Sequence, residues 1–521
     1  MYDRLEPVPQ HYPLHFRESQ MSSFFLGVDL GTSSLKTILL DAASGSLLAQ
    51  AAVEYSIQTP KPGWAEQDPQ IWVDAFLSTL PVVMNQAQLE ASQIEGISFS
   101  GQMHGCVCLD AQGNPLRPAI LWADQRSAQQ VQQVYACQGI EKLGAATGNP
   151  LAAGFMLPTL LWLRENEAEV YARIHQVLLP KDYLRLIITG EYGSEPSDAS
   201  STGLFDPARQ GWNENWLADL AIPLRFLPPV KPSHARAGGV SARFAVLSGL
   251  RAGTPVFMGA SDQSAQALGN GIIQPGDISC TIGTGGQILA PVLQPQYDPQ
   301  LRLHLFCHAL PQVWHLEAAT LSAGLSLKWL RDYFFEDRSY QQLVDEAAQA
   351  PVGAEGLRYL PYLAGERTPI MDSRATGSFT GLTLRHHRRH LVRAVLEGVV
   401  FSLRQGMDLM QSLGAPLQRV VASGGAANHP LWLQLQADIF ARPIYQSAAP
   451  EAAPLGAALL AAVGSGYFAS FEDACQRLVH WKPAAIEPNE SNVRLYDEIY
   501  RHYCSLYPIL KATFETKPGN E

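Results

Sequence analysis

Charge is scarce in this chain. Lys, Arg, Asp and Glu supply 16% of its 521 residues, against about 25% in ordinary globular proteins. Apolar residues supply 46%, so a large core is available and wholesale disorder is excluded. Basic residues are the scarcer sign. There are 37 Lys and Arg against 48 Asp and Glu, a formal charge of −11. That balance argues against nucleic acid as the main partner, because binding its backbone demands clustered Lys and Arg. A small phosphate ligand is not excluded, since backbone N–H donors can hold one inside an acidic protein.

Cysteine is sparse as well. Seven cysteines with no C-x-x-C pair exclude a disulfide framework, and a reduced, cytoplasmic setting is expected. Cys106 and Cys108 fall on one face of any strand. Long apolar runs are missing. The uncharged span 452–471 has its apolar part at 455–463, bounded by Pro454, Gly464 and Gly466. A membrane-spanning helix needs about 20 such residues, so a closely packed buried helix and no membrane partner are expected. Residues 1–20 lack the apolar stretch of a secretory signal. A mobile tail over 1–23 is expected, with Met21 a second candidate start. Also missing are a G-x-x-x-x-G-K-[ST] loop, a strand followed by G-x-G-x-x-G, and a G-x-S-x-G elbow. His386, His387 and His390, set among Arg385, Arg388 and Arg389, lack the Cys or carboxylate partners of a zinc site. They read as a solvated basic segment entering a helix.

What is present is an α/β pattern in a chain long enough for two or three domains. Strands are expected over 24–31, 34–41 and 45–55, with turns at Gly31-Thr32 and Ser44-Gly45. A helix follows over 68–86, with Asp68 as N-cap and Pro69 at its first position. IEGISFS reads as a strand, and a hairpin with Gly113-Asn114 in its turn comes next. The organisation is set by an internal echo. LGVDLGTSSL at 26–35 and ISCTIGTGGQ at 278–287 both read strand, Gly-Thr, two small residues, strand. A duplicated domain follows from their placement near the start of each half. The division falls near 272, giving units 24–272 and 273–521 with a ligand cleft between them.

The two turns offer a phosphate holder. Backbone N–H groups at Gly31, Gly283 and Gly285 can crowd an anion, and the hydroxyls of Thr32, Ser33, Ser34 and Thr284 add donors. Asp29 stands where a carboxylate can hold Mg²⁺, and Lys36 lies near in sequence. Each turn alone is equally a plain hairpin turn. In GASDQSAQALG, Asp262 opens a small-residue helix, either as an N-cap or as a general base for a hydroxyl attacking a γ-phosphate. SGGAAN places Gly424, Gly425 and Asn428 after a strand and before a helix at 430–440, which suits a flat ring close to backbone. GQMHG offers Gln102, Met103 and His104 at a strand end. GERTP at 365–369 reads as an internally paired Glu–Arg turn.

Together DLGTSSLK, PGWAEQDP, SGQMHG, RPAILWADQR, LLPKDYLRLIITGE, the Asp262 segment, FCHALPQVWHL, YLPYLAGERTP and ASGGAANHPLW resemble the FGGY carbohydrate kinases, within them those acting on xylulose. The resemblance implies two ribonuclease H-like domains of the hexokinase/actin type with the active site in the cleft between them. It implies ATP and Mg²⁺ as cofactors and a small sugar as partner. By position, Asp262 is the implied base, Asp29 and Asp262 lie by Mg²⁺, and Gly31, Thr32, Ser33, Lys36, Gly283, Thr284 and Gly285 lie by the phosphates. Gly424, Gly425 and Asn428 fall at the adenosine, and Gln102, Met103, His104, Asp262 and Gln263 at the sugar. Trp122, Asp124 and Arg126 match a W-x-D-x-R stretch without an assigned role. Three positions depart from the family pattern: Thr159 after Pro158, Ser261 and Gln263. The last two border the sugar pocket. A related pentulose, hexonate or polyol kinase stays open, as do a non-catalytic actin-like ATP-binding module and a homodimer.

Overall fold

The computed structural model describes residues 23–449 and 451–514; most of the expected tail lies outside them. Two mixed sheets carry the molecule. In the first, β1 (Phe24–Leu30), β2 (Ser34–Asp41), β3 (Ser46–Glu54), β4 (Ile94–Gly101) and β5 (Pro255–Phe257) are ordered β3-β2-β1-β4-β5, with Arg236–Gly239 beyond β5. In the second, β6 (Gly276–Ile282), β7 (Gly286–Val292), β8 (Trp314–Thr320), β9 (Leu417–Ser423) and β10 (Ile444–Gln446) are ordered β8-β7-β6-β9-β10, with His304–Cys307 beyond β8. β1 runs antiparallel to β2 and parallel to β4, and β6 does the same with β7 and β9. The echo at 26–35 and 278–287 is therefore one folding pattern used twice.

The strands read as the sequence predicts. β1 is buried almost throughout while the edge strand β3 alternates with solvent, because a central strand is covered on both faces and an edge strand is not. On one face of the first sheet lies α1 (Gln70–Ala87), burying Trp72, Phe76 and Leu80. Its start is one residue later than expected. Pro69 takes the cap position, and the Asp68 carboxylate accepts the Gln70 N–H at 2.9 Å. The expected hairpin forms around Gly113, with the Asp110 carboxylate accepting N–H bonds from Gln112 and Asn114.

The other face of the first sheet is covered by α2 (Asp262–Gly269) and by a helix from far down the chain. After α3 (Arg388–Ser412) and α4 (Pro430–Phe440), both packed with the second sheet, the chain returns in α5 (Ala452–Gly464). This is the apolar span of the sequence, and it is buried as a core helix. It meets the first sheet and α2 almost backbone to backbone. A Cβ on Gly27 would stand 2.0 Å from the Pro454 carbonyl oxygen, and one on Gly456 would stand 1.9 Å from that of Ala265. A cut at 272 thus separates the sheets but not the helices, and α5 couples the halves behind the cleft. α6 (Glu490–Phe514) closes the far side of the second half. His390, expected in a solvated segment, is turned inward, and its Nδ1 accepts the His387 N–H.

Among the described residues no helix is long and apolar enough to cross a membrane. All seven cysteines are free thiols, with Cys106 and Cys108 Sγ atoms 3.7 Å apart in the core.

Candidate active site

Strand ends and the turns after them place the polar groups. Register sets Asp29 on β1 opposite Lys36 on β2 and Ser100 on β4. Ser100 Oγ donates to Asp29 at 2.7 Å. The same positions in the second sheet carry Thr281 and Ser423, whose hydroxyls lie 2.7 Å apart. The duplication therefore repeats the frame but keeps a carboxylate in only one copy.

Asp262 is the first residue of α2, and the N-cap is the preceding Ser261, whose Oγ accepts the Ser264 N–H at 3.4 Å. Ser261 thus supplies the cap, while Asp262 Oδ1 accepts the Gln263 N–H at 2.7 Å and its other carboxylate oxygen is left for other work. The loop is fixed from below. Ser197 Oγ accepts the Ser261 N–H at 2.9 Å, and the Gly259 N–H reaches the Ser233 carbonyl at 3.0 Å. Glu195 holds both Ser197 and Ser233, and the fully enclosed Lys181 pairs with Asp182, Glu195 and Asp198 at 3.0, 3.2 and 2.9 Å. A buried, fully partnered network of this kind is rigid.

Three cavities run along the cleft. The smallest, about 180 Å³, is lined by Thr32, Met103, His104, Asp262 and Gln263 and by Trp122, Phe155, Glu317 and Arg367 among others. The next, about 440 Å³, holds Asp29, Gly424, Asn428 and Glu451. The third, about 360 Å³, is lined by Gly283, Thr284, Gly425, Asn428 and Trp432 and is largely apolar. Asn428 borders both large cavities, and Asp29 lies close enough to Asp262 to interact electrostatically. The two large cavities therefore adjoin at Asn428, and the small polar pocket is tied to them electrostatically through Asp262 and Asp29.

Electrostatics distinguish the polar groups. Burial first, and then repulsion from Asp29, pushes Asp262 up to about 8. Burial likewise raises Asp29, against the pull of Ser100 and Lys36. Burial holds His104 down at about 3, so its ring is neutral. His104 Nδ1 lies 2.7 Å from the Ser201 carbonyl oxygen, and a carbonyl only accepts, so the proton is on Nδ1 and Nε2 is left as an acceptor. The ring stacks on Phe155 at 3.9 Å.

Some expected site residues fall elsewhere. Gln102 is buried behind the cavity, bonded to Gly31 and Gln67, because its neighbours Met103 and His104 turn the other way at the strand end. Lys36 is ion-paired with Glu451 of the second half. Gly31, Ser33 and Gly285 shape turns and line none of these three cavities. The Gly31 carbonyl accepts the Tyr55 hydroxyl, Ser33 is exposed, and a Cβ on Gly285 would stand 2.7 Å from the Thr320 carbonyl oxygen. Thr32 Oγ1 accepts the indole N–H of Trp122 at 2.9 Å. Asp124 and Arg126 pair with each other, and Arg126 lies 3.5 Å over the Trp64 ring.

The internally paired Glu–Arg turn at 365–369 does not form. The Glu366 carboxylate accepts the backbone N–H groups of Leu321 and Arg367, and the Arg367 side chain lines the small cavity. Side chains of adjacent residues leave an extended segment on opposite sides, which the pairing overlooked. Glu317 was also missed, since a single Glu inside FCHALPQVWHLE has no distinguishing spacing.

Family comparisons agree with this geometry. Residues 24–269 match the N-terminal domain of the FGGY family of carbohydrate kinases, and residues 278–465 match its C-terminal domain. A xylulose kinase of Lactococcus lactis subsp. lactis is 40% identical over 491 residues, covering 93% of this chain and 96% of that protein. One from Bacillus subtilis is 37% identical over 484 residues, covering 93% and 96%. The crystal structure of xylulose kinase from Rhodospirillum rubrum superposes with a TM-score of 0.88 at 33% identity, covering 94% of this chain and all of that one. The chain belongs to the FGGY family of carbohydrate kinases, with the two-domain fold of the actin and hexokinase type, and is an ATP-dependent sugar kinase.

Proposed function

We propose that the chain transfers the γ-phosphoryl group of ATP to the O5 hydroxyl of D-xylulose, giving D-xylulose 5-phosphate and ADP. The observation that carries this reading is Asp262. It is a carboxylate at a helix start whose cap is Ser261, in a small polar cavity with Met103 and His104 and within electrostatic reach of Asp29. The xylulose kinases at 37–40% identity supply the sugar. In this reading the sugar occupies the small cavity, with Gln263 and the free Nε2 of His104 taking hydroxyls. The adenine lies in the apolar slot between Gly425 and Trp432, and the phosphates run past Thr284, Gly424 and Asn428. Asp262 accepts the O5 proton as O5 bonds to the γ-phosphorus and the bond to the β-phosphate oxygen breaks.

Two neighbouring carboxylates, each driven toward protonation by burial, fit a hard divalent cation that takes oxygen ligands. Asp29 and Asp262 would hold Mg²⁺, whose charge would keep Asp262 ionised and able to accept a proton and would offset charge on the phosphates. The seven free thiols suit a reduced compartment such as the cytoplasm.

A coupled ADP assay over ketopentoses, with the product read by mass spectrometry, tests the reaction. Asp262→Asn is expected to lower kcat by about 10²–10⁴ while D-xylulose still binds. Turnover of Asp262→Ala at the unaltered rate overturns the assignment.

A further inference from the structure

We propose that Glu317 and Arg367, both from the second half, read the sugar, and that the pair selects an uncharged sugar over an aldonate. The inference rests on the sugar-kinase reading of the small cavity and adds to it the residues that judge substrate charge.

Both side chains stand in that cavity without partners. Glu317, on β8, is 5% exposed, and its Oε2 makes no hydrogen bond. The nearest basic atom, Nε2 of His315, is 3.8 Å away on a ring that burial keeps neutral. Among the described residues the Arg367 guanidinium makes no side-chain hydrogen bond and no ion pair, although it is half-buried and lies within electrostatic reach of Glu317 and Glu366. Glu366 is occupied by backbone N–H groups. Glu317 and Arg367 thus attract each other without meeting, and both border the space that Asp262 faces.

Glu317 Oε2, a buried acceptor left open, costs about 1–3 kcal/mol, more when charged, and Arg367, half-buried at the same cavity, offers donors that no protein group takes up among the described residues. Such groups in one cavity are accounted for by a ligand that closes both. A sugar hydroxyl does so, giving its hydrogen to Glu317 and taking an N–H from Arg367. An aldonate carboxylate satisfies Arg367 but has no hydrogen for Glu317 and sets two carboxylates side by side. With Glu317 ionised the charges of the pair offset each other, so removing either one shifts which ligand charge the slot favours.

The test is calorimetric binding of D-xylulose and D-gluconate without nucleotide, with kcat/KM measured alongside. Glu317→Gln keeps the side chain's shape. It is expected to weaken D-xylulose about tenfold and to lower its preference over D-gluconate by at least that factor. Arg367→Met is expected to weaken D-gluconate more than D-xylulose, so the preference rises. Opposite movements support the proposal, and a merely structural role moves both ligands together. A preference that stays within twofold in both variants, or shifts the same way in both, overturns it while leaving D-xylulose phosphorylation intact. An unaltered chain that phosphorylates no ketopentose removes the underlying reading as well.

Discussion

Asp262 carries a cost that pH can expose. Its folded value of about 8 lies above the ordinary 3.8, chiefly through burial. Between those values the folded chain keeps a proton that the unfolded chain has released. Stability from this group is therefore complete at the acid end and falls as pH rises through the window, by about 1.4 kcal/mol per unit where the difference in binding is full. Above about 8 both states are charged and the loss levels off. Asn imitates the protonated form, so Asp262→Asn is expected to match the unaltered protein in Tm below about pH 4. Its advantage should grow to several degrees by pH 8 and then hold constant. Scanning calorimetry without ligands checks this, and a Tm difference independent of pH contradicts it. The sequence announced Asp262 through its place between a strand and a small-residue helix, but it did not separate capping from catalysis. That choice depends on Ser261 turning its hydroxyl to Ser264, a one-residue shift invisible in composition. Glu317 and Arg367 were less legible still, because each owes its position to a strand or loop brought across the cleft from the second half.

At the scale of elements, the contact between α5 and α2 is the joint on which the site hangs. Gly27, Gly269 and Gly456 let the backbones of β1, α2 and α5 approach so closely that added Cβ atoms would stand 1.8–2.0 Å from carbonyl oxygens. Backbone cannot yield as a side chain can, so Gly456→Ala forces the helices apart. Overpacking of this kind costs about 1–3 kcal/mol, occasionally more, and here it also displaces the helix that begins with Asp262. The expected outcome is a lower urea midpoint together with a fall in kcat. Gly211→Ala, where a Cβ meets nothing within 4 Å, should change neither. A Gly456→Ala variant of unaltered stability would mean that α5 does not brace α2. The apolar run 455–463 was readable as a buried helix from its flanking Pro and Gly residues. Its destination was not, because nothing local in the sequence tells a helix of the second half to cover the first sheet.

Across the whole molecule, duplication yields two similar sheets and an uneven sharing of tasks. The first copy keeps the carboxylate of Asp29, while the second has Thr281 in that place and opens an apolar slot beside Gly425 and Trp432. The slot lies within the second half, and the small cavity draws walls from both. Nucleotide and sugar sites should therefore be separable by substitution. Gly425 faces the slot with no atom within 4 Å of a Cβ placed there, so Gly425→Leu is expected to fold and to fill the space proposed for the adenine. Losing that fit is expected to raise KM for ATP about tenfold or more, in line with about 1–3 kcal/mol for a small steric change in an apolar pocket. D-xylulose binding measured without nucleotide should stay within about twofold. At saturating ATP kcat should then recover. If D-xylulose binding weakens in step with ATP, the slot and the small cavity are not independent sites, and placing adenine beside Gly425 is wrong.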